Sequence, residues 1–394
     1  NFWNDLERPV HLEIYDESDS LIVDMGAGLK IFGGWSRGFA QKSMSLFARS
    51  TYGARKIDYP LFDDKPIEDF EALVFRNSGN DWFSGYEQSG TMFRDILMTG
   101  LLKDMDIERQ AYRQAVLYLN GSYWGIYNIR EKINEHFIAS NADIAPDHIE
   151  LLENNKVAII GSNSHYVSMI NFISANNLSY DAAYKVVASR MDIDNFIRYQ
   201  SAQIYFDNTD WPGNNIKYWR PAMENGKWRW IIYDTDFGFG MWDRNKVYHN
   251  TLEFATDPDN TQWPNPSWST FLLRKLLENQ SFKERFINTF ADHINTSFAM
   301  DSVLRRITSL RSAISNEMYN HIDRWGGNYQ YWMNRTDDLV FFGQNRPNYV
   351  RNHIIHTFDL RGKHQITINV LGEGAGSIRL NTIMLRQFPW SGTY

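Results

Sequence analysis

Apolar and polar residues alternate over residues 9–15 and 21–24, again over 42–49, and around 72–76, and a period of two predicts short β-strands. The alternation recurs at 114–119 and 122–129 on either side of Asn120-Gly121, which predicts a hairpin closed by a type I′ turn. The period then lengthens. Over residues 92–105, Phe93, Ile96, Leu97, Leu101 and Leu102 share one helical face, and 133–140, 164–176, 180–189 and 191–206 read as further helices, with 141–155 loop-like. Helical spacing returns at 268–279, 282–298, 300–325 and 332–356, with Asp301 and Ser302 placed as a cap. After Arg361-Gly362 the pattern reverts to strands at 365–370 and 377–380, with glycines over 372–376. Strands followed by helices imply an α+β fold. Its expected domain covers 1–362, strand-rich over 1–130 and mainly helical over 131–362, and residues 363–394 read as a truncated β-rich appendage.

Residues 207–240 interrupt the helical part. Two aromatic strands, 216–219 and 227–233, flank the turn residues Glu224, Asn225 and Gly226 and predict a second hairpin. Asp210, Asn214 and Asn215 precede its first strand, and Asp234 and Asp236 close its second. An antiparallel pair sets the start of one strand beside the end of the next, so these polar groups should converge. If the strand persists through Asp236, the two acids share a face about 7 Å apart and repel by about 2 kcal/mol at an effective dielectric near ~20. A divalent cation removes that repulsion, and magnesium is held by such carboxylates together with an amide and substrate phosphates. The competing reading of the same acids is a solvated turn.

Spacing narrows the choice. Asn215 lies five residues after Asp210, and Asp236-Phe237-Gly238 follows after one hairpin. That is the order of a protein-kinase catalytic loop and its metal-binding D-F-G, although no His-Arg precedes Asp210. Upstream, Gly26, Gly28, Gly33, Gly34 and Gly38 precede Lys42, a pattern that can bring backbone N–H groups and a lysine to phosphate oxygens. Glu131 follows the Asn120-Gly121 hairpin, placed to hold a nucleotide lysine or to open the next helix. Arg76 and Asp81 read as a structural ion pair; Arg94 reads either as structural or as facing phosphate.

Composition removes several function classes. The 394-residue chain carries a net charge of −7 and no basic stripe, which argues against a nucleic-acid partner. It has no cysteine, which excludes disulfides, thiolate metal sites and cysteine nucleophiles and is compatible with an oxidising compartment. No apolar run reaches bilayer length. The chain begins at Asn1, so a processed protein with its targeting segment outside the sequence is expected. Its 14 Trp and 21 Tyr suit an extracytoplasmic setting, secreted, periplasmic or at the cell surface, although such residues commonly fill cores. His353 and His356 lack the glutamate of a zinc motif and read as solvated helix residues.

Several blocks together resemble the spore coat protein H (CotH) kinases, atypical protein kinases of bacteria and some eukaryotes. These are YLNGSYWGIYNIREKI at 118–133, IRYQSAQIYFDNTDWPGNN followed by WRWIIYDTDFG, ALVFRNSGNDW near Arg76, FRDILM at Arg94 and Asp95, and GGWSRGFAQKS before the third strand. The resemblance covers most of residues 7–360. It implies an atypical protein kinase-like fold that moves the γ-phosphate of ATP to Ser or Thr hydroxyls of a protein, with Mg2+, or Mn2+ in its place. By the same resemblance Asp210 accepts or orients the acceptor hydroxyl, Asn215 with Asp234 or Asp236 holds the metal, Ser36 and Arg37 lie near the phosphates, and Lys42 is the nucleotide lysine supported by Glu131. Gly33-Gly34 stands where the family carries an Arg-Gly pair. Residues 241–267 occupy the place of an activation segment without its A-P-E signature. Two other classes compete: a catalytically degenerate surface or carbohydrate-associated binding module, and a glycoside hydrolase whose carboxyl pair, such as Asp210 and Asp234, would stand roughly 5–9 Å apart. The lysine and asparagine partners argue against the hydrolase.

Overall fold

Asn120 and Gly121 take φ of 50° and 76°, the left-handed pair that a two-residue hairpin turn needs. In the computed structural model, which describes residues 2–86, 88–371 and 376–394, the flanking strands Tyr112–Leu119 and Ser122–Glu131 pair from Leu119 opposite Ser122 to Tyr112 opposite Arg130. They form one edge of a six-stranded antiparallel sheet. Its spatial order is Arg8–Tyr15, Leu21–Phe32, Ser43–Phe47, Ala72–Arg76, Ser122–Glu131 and Tyr112–Leu119. Alternate residues of these strands, among them Leu12, Val23, Met44, Leu46, Leu73, Phe75, Tyr127 and Ile129, fill one core. The second strand runs well past the expected residue 24. Gly26 lies within it because a Cβ there would stand 2.1 Å from Tyr52 O, so this glycine serves close packing and takes no part in a phosphate loop.

The described residues divide into two compact units. The first comprises the chain up to Lys103, Glu108–Ile149 and Ile307–Asp338; the second comprises Asp104–Ile107, Glu150–Arg306 and Leu339–Tyr394. The change of period near residue 130 is a change of secondary structure, and the units divide elsewhere.

Within the first unit the helix Arg94–Leu101 is buried along its whole length. Asp81 accepts from Thr91 N at 2.7 Å, Thr91 Oγ1 at 2.8 Å, Arg94 N at 2.8 Å and Arg94 Nε at 3.0 Å. Arg94 is therefore structural, and Asp81 pairs with it; Arg76 instead lies 3.9 Å from Asp95, which also binds Arg130. His321 is fully buried, with Nε2 against Phe83 O at 2.9 Å and Nδ1 accepting from Ile126 N at 3.3 Å. One nitrogen must donate and the other accept, so the ring is neutral. Burial lowers its pKa to about 4 from an ordinary 6.5. The fold thus prefers the neutral ring, and this preference is complete above pH 6.5 and fades as pH falls toward 4. Urea unfolding of the first unit is expected to weaken by up to about 1.4 kcal/mol per pH unit across that window. The slope should shrink in His321→Gln. An unchanged slope would remove His321 as its cause.

In the second unit, the helix Ile193–Phe206 opens on Asp192, whose Oδ1 accepts from Asp194 N and Asn195 N at 3.1 Å, and ends at Asp207 in the left-handed region (φ 55°). The expected second hairpin is present as Lys217–Pro221 and Arg229–Ile232, with Lys217 opposite Ile231, Tyr218 opposite Trp230 and Trp219 opposite Arg229. Two strands, Ile149–Glu153 and Val157–Ile160, arise where a loop was expected. Positive φ at Asn154 and Lys156 turns this short hairpin, and Leu151 and Leu152 bury its first strand. The helical run expected over 300–325 breaks at Ser315-Asn316 into Met300–Ile314 and Glu317–Trp325.

The carboxyl-terminal strands pair as Gln365–Ile368 with Trp390–Thr393 and Ile378–Leu380 with Ile383–Leu385. They are tied down by buried Asp292, which accepts from Asn381 Nδ2, Thr382 N and Oγ1, and Tyr394 OH. The glycine turn expected over 372–376 lies, apart from Gly376, outside the described residues. No helix among the described residues is long and apolar enough to cross a membrane.

Candidate functional site

In the second unit, the left-handed turn at Asp207 releases the chain from a buried helix into the Asp210 loop. Asp210 is 7% exposed. Its Oδ1 accepts from Trp263 Nε1 at 2.8 Å and Asn214 Nδ2 at 3.1 Å, and its Oδ2 accepts from Asn215 Nδ2 at 2.6 Å and again from Asn214 at 3.1 Å. Burial pushes this carboxyl above its ordinary range; the bonds from Asn214 and Trp263 pull it back, and the charge of Asp234 raises it further. Gly213 must be glycine here, because its N–H donates to Pro264 O at 2.7 Å and a Cβ would stand 2.5 Å from that oxygen.

The strand does not persist through the two acids. It ends at Ile232, and Asp234 turns the chain at φ 51°, so the expected alternation of Asp234 and Asp236 on one strand face does not hold. Asp236 is 1% exposed. The D-F-G segment is pinned by Gly238 N to Thr235 O at 2.9 Å and Phe239 N to Phe206 O at 2.7 Å, which ties it back to the helix that delivers Asp207. The Asn215 amide nitrogen is directed at Asp210 Oδ2, so Asn215 Oδ1 is the atom that the expected set, with Asp234 and Asp236, would offer a metal. Among the described residues, the group of three or more His, Asp or Glu whose ligand atoms all lie within 4.8 Å is His11, Glu13 and Asp24, exposed on the first hairpin. Magnesium needs only one or two carboxylates, so this does not count against the hairpin set.

Arg346 braces the same loop. It is fully buried, and all five of its N–H groups are used: Nε on Tyr205 O, Nη1 on Val247 O and His249 O, Nη2 on Ile204 O and Thr251 Oγ1, at 2.7–3.0 Å. Thr251 Oγ1 in turn donates to Asp207 Oδ1 at 2.6 Å, and His249 Nδ1 meets the same oxygen at 2.6 Å. One guanidinium therefore joins the end of the Ile193–Phe206 helix to the segment after the D-F-G. His353, expected in solvent, is half-buried here, and its pKa is lowered to about 4 mainly by burial.

In the first unit the expected lysine and glutamate do not meet. Glu131 accepts from Lys65 Nζ at 2.5 Å, Ala111 N at 2.7 Å and Asn141 Nδ2 at 3.0 Å. The sheet register explains why. Leu46, Leu73 and Glu131 share one row, and Lys42 lies four residues along, about 13 Å away by the strand rise. Lys42 Nζ donates to Phe39 O and sits 4.0 Å from the centre of the Phe2 ring. Ser36 and Arg37 lie in the short turn Trp35–Gly38. Arg37 Nε donates to Gly33 O at 2.6 Å and Nη2 to Asp5 Oδ1 at 2.7 Å, which commits it to shaping the glycine loop. Gly33 itself takes φ 108°, a conformation open to glycine.

Sequence reading missed Trp263, Arg346 and Lys65. Each is a single residue 50 or more positions from its partner, without a local pattern to mark it. The family model described as CotH kinase protein matches residues 29–350. No curated protein matches the chain.

Proposed function

The chain belongs to the CotH kinase family, and from that premise we propose that it transfers the γ-phosphoryl group of ATP to Ser or Thr hydroxyls of a protein outside the cytoplasm. The observation that carries this reading is the state of Asp210: a nearly buried carboxylate, held by three side chains, with its proton affinity raised. A general base works best when its pKa lies above the ordinary carboxylate range and its geometry is locked before the acceptor arrives. Asn214, Asn215 and Trp263 do the locking. Asn215, Asp234 and Asp236 would hold Mg2+, which would neutralise charge on the transferred phosphoryl group.

For the nucleotide lysine, donor capacity separates the two candidates. An ammonium has three N–H donors. Lys65 spends them on Glu131 Oε2, Arg109 O and Asn141 Oδ1, so none remains for a phosphate. Lys42 gives one bond to Phe39 O and keeps capacity for an anion. Lys42 is thus the phosphate lysine of this reading, unsupported by Glu131, while Lys65 and Glu131 brace the strands.

The test is calorimetric titration of ATP, with and without Mg2+, into the intact chain and its Lys42→Ala, Lys65→Ala and Asp236→Asn variants. Magnesium-dependent binding is expected in the parent, lost in Asp236→Asn and weakened about tenfold or more in Lys42→Ala. Lys65→Ala should lower unfolding stability and leave affinity nearly unchanged. Absence of binding by the parent would favour the degenerate, carbohydrate-associated module, and unchanged binding by Asp236→Asn would remove that residue from the metal set.

A further inference from the structure

Within the second unit, Trp211 and Pro212, the two residues that follow Asp210, line a cavity of about 450 Å³. Its walls are aromatic: Tyr166, Tyr199, Trp211, Tyr218, Trp230 and Trp268. Several rings are already fixed against one another, Tyr218 stacking on Trp230 at 5.8 Å and 22° and Tyr166 lying 4.5 Å from Tyr218. Such walls are costly to leave wet and lose little entropy when a flat ligand covers them. The volume exceeds what one amino-acid side chain fills and falls in the range of roughly 300–1,000 Å³ typical of small-molecule sites.

Charge narrows the ligand. The chain is acidic overall, at −7, yet the cavity lining contains Lys156 and Arg274 and neither aspartate nor glutamate. Neither cation has a carboxylate within ion-pair distance among the described residues. Arg274 directs Nε to Thr270 Oγ1 at 3.1 Å and Nη2 to Ser267 O at 3.2 Å, which anchors the guanidinium while Nη1 keeps its donors. Lys156 projects from a turn built onto the cavity wall: its N–H donates to Tyr218 OH at 3.1 Å, that hydroxyl donates to Asn154 O at 3.1 Å, and Ile216 N donates to Asn154 Oδ1 at 3.2 Å. The lining therefore combines fixed aromatic faces with two cations whose charge is uncompensated.

We propose that this cavity is a binding site for a flat aromatic small molecule carrying a negative charge, a carboxylate or sulfonate. The rings take the aromatic body, and Arg274 and Lys156 supply the positive charge. A ligand there leans on Trp211 and Pro212, which with Gly213 separate Asp210 from Asn214 in the chain. The inference does not depend on phosphoryl transfer and stands if that reading fails.

The probe is 1-anilinonaphthalene-8-sulfonate, titrated by fluorescence into the intact chain, with uncharged N-phenyl-1-naphthylamine as comparator. One saturable site with energy transfer from tryptophan is expected. Ser174 is exposed and lies at the cavity lining, so Ser174→Trp should fill the opening without altering the thermal melt, and should weaken both probes about tenfold or more. The double variant Lys156→Gln, Arg274→Gln should weaken the sulfonate by about five- to thirtyfold and leave the neutral amine within about twofold. Absence of saturable binding would overturn the proposal. So would sulfonate binding indifferent to Ser174→Trp, or equal effects of the charge variant on both probes.

Discussion

Asp210→Asn is expected to lower phosphoryl transfer by about 10²–10⁴-fold, the range lost with a positioned general base. Asparagine keeps the shape and the acceptor for Trp263 Nε1 but sets an N–H donor against the Asn215 amide nitrogen, so Asn215 must flip for the loop to hold, and the melt and the nucleotide affinity are measured beside the rate. What disappears is the ability to take a proton. The pH profile supplies an independent readout. Burial first, and the charge of Asp234 as well, raise the Asp210 carboxyl, whereas the Asn214 and Trp263 bonds lower it. A base acts when deprotonated, so the rate should fall as pH drops through this raised pKa, at a higher pH than an ordinary aspartate would give. Trp263→Phe removes one lowering bond, so the acid limb should move further up in pH, with a rate loss of about tenfold at most. Transfer that survives Asp210→Asn at full rate would end the role of Asp210 as base, and an acid limb that moves down in Trp263→Phe would contradict the electrostatic account.

Arg346→Met should cost the second unit about 3–5 kcal/mol, because it leaves buried carbonyls of Ile204, Tyr205, Val247 and His249 without their donor. Each such orphan costs about 1–3 kcal/mol, and local relaxation and water recover part of the sum. In a unit of this size the melting temperature should fall by roughly 8–15 °C. Arg346→Lys should restore only a fraction, since three rotatable donors cannot serve five acceptors arranged around a planar fork. Calorimetric scanning decides the matter. A loss below about 1 kcal/mol would mean that water replaces the guanidinium at little cost and that the clamp does not hold the loop.

Much of the site lies in one local stretch, and local stretches are legible. The helix ending at Asp207, the hairpin at Lys217–Pro221 and Arg229–Ile232, and the polar residues at its open end follow from period, turn chemistry and antiparallel pairing. The same holds for the Asn120-Gly121 hairpin and for the strand Ala72–Arg76, whose bounds match the expected run. Local reasoning failed where a residue obeys a non-local demand. Gly26 and Gly28 looked like loop glycines but lie mid-strand, where Tyr52 and Glu7 press on the backbone. Arg94 read as structural or as facing phosphate, and its pairing with Asp81, 13 positions away, decides for the structural role. The 141–155 region looked like loop because its strand is five residues long and ends in a turn made by non-glycine residues at positive φ.

The sequence by itself determined the α+β composition, the hairpin whose flanks carry Asp210, Asn215, Asp234 and Asp236, and the family, because each is written in residues that are neighbours or regularly spaced. Which lysine answers Glu131, which indole holds Asp210 and which arginine ties the loop to its helix were decided only by the tertiary structure. Lys65, Trp263 and Arg346 reach their partners across 66, 53 and up to 142 positions of chain. Spacing of that order carries no period, and only the folded path, by placing Leu46, Leu73 and Glu131 in one row and Lys42 four residues beyond it, settles which charges can touch.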